Sequence, residues 1–373
     1  MLLPAGVLLL LIAAFPYLVF LLGIHIGRKD AAPPEPEEYP EISIVMAAYN
    51  EAAVIEERIA NIRASDYPQE KYEVILVDDC SSDDTCTRAK RAFAEAGIEY
   101  RILQNTDRMG TNRSINRAIG EASHSILVTT DADVFFDTAA LKRLIARLMS
   151  EDNIAAACGD LRPKPAGSSR TSIMEGAYRN YYGRMCCWES AVDSTYNFNG
   201  GLVAFKKHLV SRIDDRRGAD DANTAFEAIR RGYRAVYETA AVVYEDIPGD
   251  FGSQYRQKAR RATHLIEATL GNLDLLKTNR QFSRFFYPLR IWMYLATPAF
   301  FLVGSIVMLA GLFVVSPLLA SAALAAFAAA GFFKGSNTAA AFVTNQIYLF
   351  RGLLNLGNDM RVWESTSKKA KAG

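Results

Sequence analysis

The chain has almost no net charge: 42 Lys and Arg against 41 Asp and Glu leave +1 over 373 residues. Without a basic surplus nothing gathers a polyanion, so nucleic-acid binding has no electrostatic support. Cysteine is scarce and odd in number, namely Cys80, Cys86, Cys158, Cys186 and Cys187. These form no C-x-x-C pair and have no histidine partners at zinc spacing, which argues against a complete disulfide framework and a structural zinc, and suits a reducing compartment. Cys186 and Cys187 are adjacent on a predicted helix, where they read as small buried apolar residues. Glycine is missing where a dinucleotide fold requires it. The first strand runs into Ala47-Ala48-Tyr49-Asn50-Glu51, which has no glycine to let the backbone approach a pyrophosphate, and this argues against a nicotinamide or flavin oxidoreductase.

Charge is also absent in runs. Residues 2–26 contain no Asp, Glu, Lys or Arg, enough at about 1.5 Å per residue to cross a hydrocarbon layer of about 30 Å. A cleaved signal peptide would put basic residues before its apolar run, whereas Arg28 and Lys29 follow it here. The segment therefore reads as a transmembrane anchor, with the amino terminus outside and the next domain in the cytoplasm. Pro33, Pro34, Pro36 and Pro40 lie among acidic residues and read as a short extended linker. A second apolar run, 291–315, is broken by Ser316-Pro317, and a third covers 318–333, as in a tight transmembrane hairpin. Arg280, Arg284 and Arg290 before the pair and Lys368, Lys369 and Lys371 after it agree with a cytoplasmic side. Residues 339–354, interrupted by Asn345, Gln346 and Arg351, read as an amphipathic interfacial helix rather than a further span. The expected organisation is an anchor (1–27), a linker (28–40), a catalytic domain (41–270), and a carboxyl-terminal part (271–373) holding an interfacial helix, two transmembrane helices and a cytoplasmic amphipathic tail.

Between linker and second span, strand-like segments at 41–48, 72–77, 99–103, 125–130 and 154–158 alternate with helical patterns at 52–64, 83–96, 111–122 and 138–149. Repeated βα units predict an α/β fold, a mostly parallel open sheet with helices on both faces and ligands at the carboxyl ends of the strands. Three of those ends are polar. The fourth strand ends in Asp131-Ala132-Asp133, and the two-residue period of a strand turns both carboxylates to one side. Such a pair suits Mg2+ or Mn2+, which takes one or two protein carboxylates and completes its shell with substrate phosphate oxygens. A solvated turn or a helix cap has the same look. Asp78 and Asp79, with Tyr49, suit a base and ribose, or else cap the next helix beside Ser81, Ser82 and Asp83.

Taken in order, Ala48-Tyr49-Asn50-Glu51, Val77 to Asp83, Asn105 through Gly110 to Asn116, Asp131-Ala132-Asp133, Gly218-Ala219-Asp220-Asp221 and Gln257-Lys258-Ala259-Arg260-Arg261 resemble the signatures of the family 2 glycosyltransferases. These are membrane-attached inverting enzymes, among them dolichyl-phosphate sugar synthases and cellulose, chitin and hyaluronan synthases. The resemblance covers roughly residues 41–270. It implies a GT-A nucleotide-diphospho-sugar transferase fold and a nucleotide-sugar donor, by family preference UDP-linked. It implies that Ala48, Tyr49, Glu51, Asp78, Asp79 and Asp131 hold the donor, that Asp131 and Asp133 bind the metal, and that Asp221, beside Asp220, is the general base. Asp220 and Asp221 also suit the start of a helix, and the two roles are compatible. Asn199, Gly200 and Gly201 resemble an acceptor-side glycine loop, and equally a strand-entry turn. Gln257, Arg260 and Arg261 fall at i, i+3 and i+4 on one helical face, suited to diphosphate or acceptor contact, or to anionic lipid headgroups.

Departures shape the expectation. Arg261 stands where polymerising members usually carry Trp, Asp220 replaces a Glu, and Thr111 replaces a lysine whose charge Arg108 or Arg113 could supply. The carboxyl-terminal apolar segments look too few for a polysaccharide channel. The expected activity is transfer of one sugar to a lipid-linked or glycan acceptor at the membrane. A processive polysaccharide synthase is the first alternative, and a catalytically silent scaffold retaining the fold is the second.

Overall fold

The computed structural model of the chain describes residues 1–27, 31–164, 170–215, 218–247, 251–330 and 338–357. Arg28, Lys29, Lys368, Lys369 and Lys371, which carry most of the expected charge bias, lie outside the described residues.

After a long amino-terminal helix, α1 (Leu2–Ile26), strands β1 (Ile42–Ala48), β2 (Tyr72–Asp78), β3 (Glu99–Gln104) and β4 (Ile126–Asp131) alternate with α2 (Ile55–Arg63), α3 (Thr85–Ala96) and α4 (Thr111–Glu121). These strands pair in parallel in the order β3-β2-β1-β4. Ile44 and Met46 of β1 pack with Ile55 and Ile59 of α2, while Val45 packs with Ile115 of α4, so an unbroken apolar run is what a strand covered on both faces requires.

The second half of the sheet is not a further run of βα units. Strands β5 (Val134–Phe136), β6 (Ile154–Pro163), β7 (Val203–Lys206) and β8 (Arg234–Glu245) extend it to eight strands, β3-β2-β1-β4-β7-β6-β8-β5. Here β7 is antiparallel to β4 and β6, β5 is antiparallel to β8, and β6 is parallel to β8. The sheet is therefore mixed, flanked by α5 (Ala140–Met149), α6 (Arg170–Val192), α7 (Asp220–Arg230) and α8 (Phe251–Gly271).

Register decides where the polar strand ends lie. Ala47 pairs with both Val77 and Asp131, and Ala48 with Asp78. With neighbouring strands about 4.8 Å apart, the ends of β2, β1 and β4 make one ledge about 10 Å across.

Two described helices are long and apolar enough to cross a membrane, α1 and a helix over Phe282–Val315. They pack closely along each other. A Cβ at Gly311 would lie 2.9 Å from the Leu3 nitrogen, and one at Gly6 would lie 2.6 Å from the Met308 nitrogen, so glycine is what permits the approach. The described part of the third apolar run is a helix of 14 residues, Pro317–Ala330, too short alone to span about 30 Å. The helix Thr338–Leu354 braces the domain: a Cβ at Gly352 would lie 3.0 Å from the Thr263 nitrogen of α8, and Gln346 Nε2 donates to the Tyr17 hydroxyl of α1 at 3.0 Å.

Two of the three arginines expected as flanking charge are bound to the domain itself. Arg280 pairs with Asp193 and donates to the Tyr233 carbonyl at 2.6 Å. Arg290 and Glu189 are both about 1 % exposed and joined at 2.6 and 3.0 Å. Thr195 also donates to Glu189, and the Arg290 guanidinium lies 4.6 Å from the centre of the Phe20 ring. This knot ties α1, α6 and the second long helix together. Glu189→Ala, by leaving Arg290 buried without its counter-charge, is expected to cost about 3–5 kcal/mol. Denaturant titration of the purified protein in detergent checks it, and adding Arg290→Met should recover much of the loss.

Candidate active site

The loops after β1 and β2 are braced against each other. Asn50 and Cys80 both adopt left-handed backbone, φ 53° and 63°, which turns the chain sharply at each strand end. The Asn50 amide donates to Ser81 Oγ at 2.9 Å, the Ser82 amide to Asn50 Oδ1 at 2.9 Å, and the Glu51 amide to Thr85 Oγ1 at 2.7 Å. Just before α3, Asp83 Oδ1 accepts the Thr85 amide at 3.0 Å, and the N-cap residue Asp84 makes no side-chain cap bond.

Asp78 and Asp79 have different surroundings. Asp79 accepts from the Met109 amide (2.8 Å), the Gly110 amide (3.0 Å), Asn105 Nδ2 (2.8 Å), Arg108 Nε (3.2 Å) and Ser114 Oγ (3.3 Å). Burial pushes its carboxyl up, but these donors outweigh burial and hold it below the usual range. It thereby fixes the loop between β3 and α4. Asp78 is 3 % exposed, and its Oδ1 has no hydrogen-bond partner among the described residues. Ala48 lies between them and the neighbouring strand, its carbonyl accepting the Asp79 amide at 2.8 Å. Glu51 is buried where the braced loop enters α2. Arg108 also stacks on Tyr49, 3.2 Å from the ring centre, while Arg113 lies 3.8 Å from Asp215.

Asp131 closes β4 and Asp133 precedes β5, whose Val134 pairs with Glu245 at the end of β8. Burial, then the charges of Asp133 and Asp220, push the Asp131 carboxyl well up, with Asp221 adding and Arg261 opposing. Burial and Glu245 raise Asp133, again against Arg261. Charge at the start of α7 thus acts on the end of β4. Asp221 is pushed up to about 7 by burial and by Asp220, although its Oδ1 accepts the Ala222 amide at 2.6 Å. Helix start and membership of the acidic cluster coincide, as the sequence allowed. No three His, Cys, Asp or Glu among the described residues form a complete cage for a metal. A carboxylate pair that repels its own second charge, with no third protein ligand, fits a divalent ion that takes other ligands from a phosphate-bearing substrate.

Gly200 brings the loop before β7 to Asp131: a Cβ there would lie 3.2 Å from Asp131 Oδ2. Asn199 is anchored by Nδ2 to the Gly159 carbonyl at 2.9 Å, and its Oδ1 is buried without a partner among the described residues. Gly201 is a close-packing position, since a Cβ would lie 3.0 Å from Val243 Cγ2. On α8, Gln257 and Arg260 are half-buried, and the charges of Asp131 and Asp133 act on Arg260. Arg261 is spoken for by Glu245, Nη1 to Oε1 at 3.0 Å and Nη2 to Oε2 at 2.7 Å. Glu245 also accepts from Arg179 at 2.9 Å, and Arg179 and Lys258 both reach Glu175. The one-face spacing of 257, 260 and 261 therefore leads to two environments.

Sequence reasoning missed Arg58, Asn61, Glu245, Arg179 and Glu175. Only Arg58 carried a signal: with Ile55, Ile59 and Ile62 it lies on the apolar stripe of α2, and it is fully buried. For Asp79, whose folded carboxyl titrates below its unfolded value of about 3.9, stabilisation is complete above that value and lost as pH falls through the folded one. Asp79→Asn should cost about 1–3 kcal/mol at neutral pH. The gap between variant and parent in thermal unfolding should close as the solution is acidified.

Comparison with known proteins agrees with this geometry. The model of glycosyl transferase family 2 matches residues 43–202 and that of glycosyl transferase family group 2 matches residues 126–334. The chain is 26% identical over 270 residues to the poly-beta-1,6-N-acetyl-D-glucosamine synthase of Staphylococcus aureus, covering 69% of this chain and 61% of that protein. To its Staphylococcus epidermidis counterpart it is 23% identical over 239 residues, 61% of this chain and 55% of that one. It thus spans about three-fifths of the length of these curated relatives. The solved structure of mannosyltransferase PcManGT from Pyrobaculum calidifontis, in complex with GDP-Man and Mn2+, matches with a TM-score of 0.81 at 26% identity, over 95% of this chain and 98% of that one. With more than half its length matched by one family model, the chain belongs to glycosyl transferase family group 2 and is a glycosyltransferase with the GT-A fold.

Proposed function

We propose that the chain moves one sugar, with inversion, from a nucleoside-diphosphate sugar to an acceptor held at the membrane. The observation that carries this is that Asp133, Asp220 and Asp221, from separate segments, all act on Asp131, which lies beside Gly200. The nucleoside lies along the ledge of β1 and β2, where the unpartnered Asp78 oxygen and Tyr49 read it and Asp79 shapes the loop beneath. Asp131 and Asp133 hold Mg2+ or Mn2+, which when bound supplies positive charge against the leaving diphosphate. Arg260 adds charge from α8. Asp221 takes the proton of an attacking hydroxyl from the opposite side, and a carboxyl pushed up to about 7 is matched to that task at neutral pH. Where the acceptor is already an ionised phosphate, Asp221 orients it instead. The single displacement gives the inversion.

The two long apolar helices support attachment to a membrane, and by the charge bias of the sequence the catalytic domain lies on the cytoplasmic side, with residues 1–27 as anchor and 41–270 as catalytic domain. An acceptor that partitions into the bilayer is then found by local search. The likeness to a mannosyltransferase bound to GDP-Man, over nearly the full length of both chains, makes GDP-sugars as well as UDP-sugars candidate donors. Identity to poly-N-acetylglucosamine synthases favours a second reading, processive synthesis. Product length from labelled donor and extracted membrane lipid separates them: one sugar per lipid supports the first, a polymer the second.

Purified protein should hydrolyse its donor only with divalent metal, and Asp133→Ala should abolish this while the melting temperature stays close to the parent's. Retained metal-dependent turnover in that variant would sink the assignment. Asp221→Asn should lower kcat by about 10²–10⁴-fold, the usual weight of a general base, with little change in donor KM. A matching loss in donor affinity would remove its role as base.

A further inference from the structure

We propose that Arg58 and Asn61 of α2 form a clamp that holds the Asp131-Ala132-Asp133 turn in metal-binding geometry from the face of the sheet opposite the carboxylates. The inference rests on the reading of Asp131 and Asp133 as the metal carboxylates and names positioning residues for that site.

Arg58 is fully buried, a costly place for a guanidinium unless its donors are used and a counter-charge is near. Its donors are used, and the charges of Asp131 and Asp133 act on it. Nε donates to the Asp131 carbonyl at 3.3 Å, Nη2 to Thr130 Oγ1 at 2.9 Å and Nη1 to Asn61 Oδ1 at 2.8 Å, and the guanidinium lies 4.0 Å from the centre of the Phe136 ring. The first two bonds go to the backbone and hydroxyl of the last β4 residues and the third to Asn61, so Arg58 supplies charge without occupying the carboxylate oxygens. Asn61 grips the far side of the turn. Its Oδ1 accepts the Phe136 amide at 2.7 Å and its Nδ2 donates to the Phe136 carbonyl at 3.0 Å, a two-point bond like one rung of a sheet.

The turn is thus pinned on entry by Arg58 and on exit by Asn61, and Arg58 joins the two. Strand parity fits: Thr130 faces α2, and Asp131 faces the opposite side. The grip reaches the loop before β7 as well, because Thr130 Oγ1 donates to the Gly201 carbonyl at 2.7 Å, one residue after the glycine that faces Asp131. Lysine at position 58 would keep the charge and lose the fork, which separates a clamp from a mere counter-charge. As a point charge alone, Arg58 would repel a metal, so its removal would tighten binding. As a clamp, its removal weakens binding.

The test uses full-length protein in detergent, with Mn2+ titrated in the presence of GDP or UDP and followed by electron paramagnetic resonance, together with hydrogen exchange of the metal-free protein. Arg58→Lys and Asn61→Ala should each weaken Mn2+ binding by about tenfold or more, as loss of a ligand's supporting bonds does. Both should speed exchange of the amides in 131–136, and saturating Mn2+ should restore most of kcat. Mn2+ binding at parental strength in both folded variants, or tighter, overturns the clamp. If Arg58→Lys alone behaves like the parent, charge rather than the fork is at work and the role given to Arg58 falls. If Arg58→Lys does not fold, Asn61→Ala, which leaves the guanidinium in place, decides. Failure of the parent to bind Mn2+ with either nucleotide would end the metal reading itself, whereas parental binding with unaffected variants ends only this inference.

Discussion

Repulsion among like charges organises this molecule. Asp133, Asp220 and Asp221 all act on Asp131, and the four carboxylates are half-buried. Like charges brought together away from bulk water raise one another's pKa, and the carboxyls of Asp131 and Asp221 are both pushed up, by burial first and then for that reason. The folded chain places cations at fixed positions without letting them close on the pair: Arg58 behind the turn, bonded to backbone, Arg260 on α8, and Arg261 held off by Glu245. What is left is a concentration of negative charge that neither proton nor protein cation fully satisfies. That arrangement suits a divalent ion whose remaining ligands come from a phosphate-bearing substrate.

Such a cluster works only in a frame that cannot relax. Parallel pairing through β2, β1 and β4 sets the ledge, and the cross-bonds of Asn50, Ser81, Ser82 and Thr85 stiffen the loops above it. The frame extends into the apolar helices. Arg290 with Glu189 and Arg280 with Asp193 join the helix at 282–315 to α6 and to the residues just after it. Helix 338–354 packs on α8 and reaches α1. The helix bearing Arg260 is therefore held, like α6, against the apolar assembly.

Much of this was legible. The βα alternation and the polar strand ends identified the fold class, because parallel strands covered on both faces must be written as apolar runs. The antiparallel additions were not, since β5 is three residues long and β7 four, below what periodicity can register. The acidic pair and the α7 aspartates could be named from the sequence, but not the division between Asp78 and Asp79, which depends on amides of Met109 and Gly110 some thirty positions away. Arg280 and Arg290 read as membrane flanks because hydropathy carries no record of Glu189 or Asp193. Arg58 could have been found: an arginine on an apolar helical stripe needs a buried partner, and that need is visible before the partner is.

Arg261 shows how one substitution relative to a family pattern takes its meaning from its neighbours. An aromatic ring there would offer a stacking surface to a growing glycan. In this chain the position supplies two parallel bonds to Glu245, whose backbone pairs with Val134, directly after Asp133. Glu245 raises Asp133, Arg261 lowers it, and Arg261 with Arg179 and Lys258 holds Glu245 itself well below the usual carboxylate range despite its burial. With a ring at 261, Glu245 would keep Arg179 and Lys258 but lose its bidentate partner, and its charge would bear more heavily on Asp133. Position 261 is therefore part of the electrostatic balance of the site.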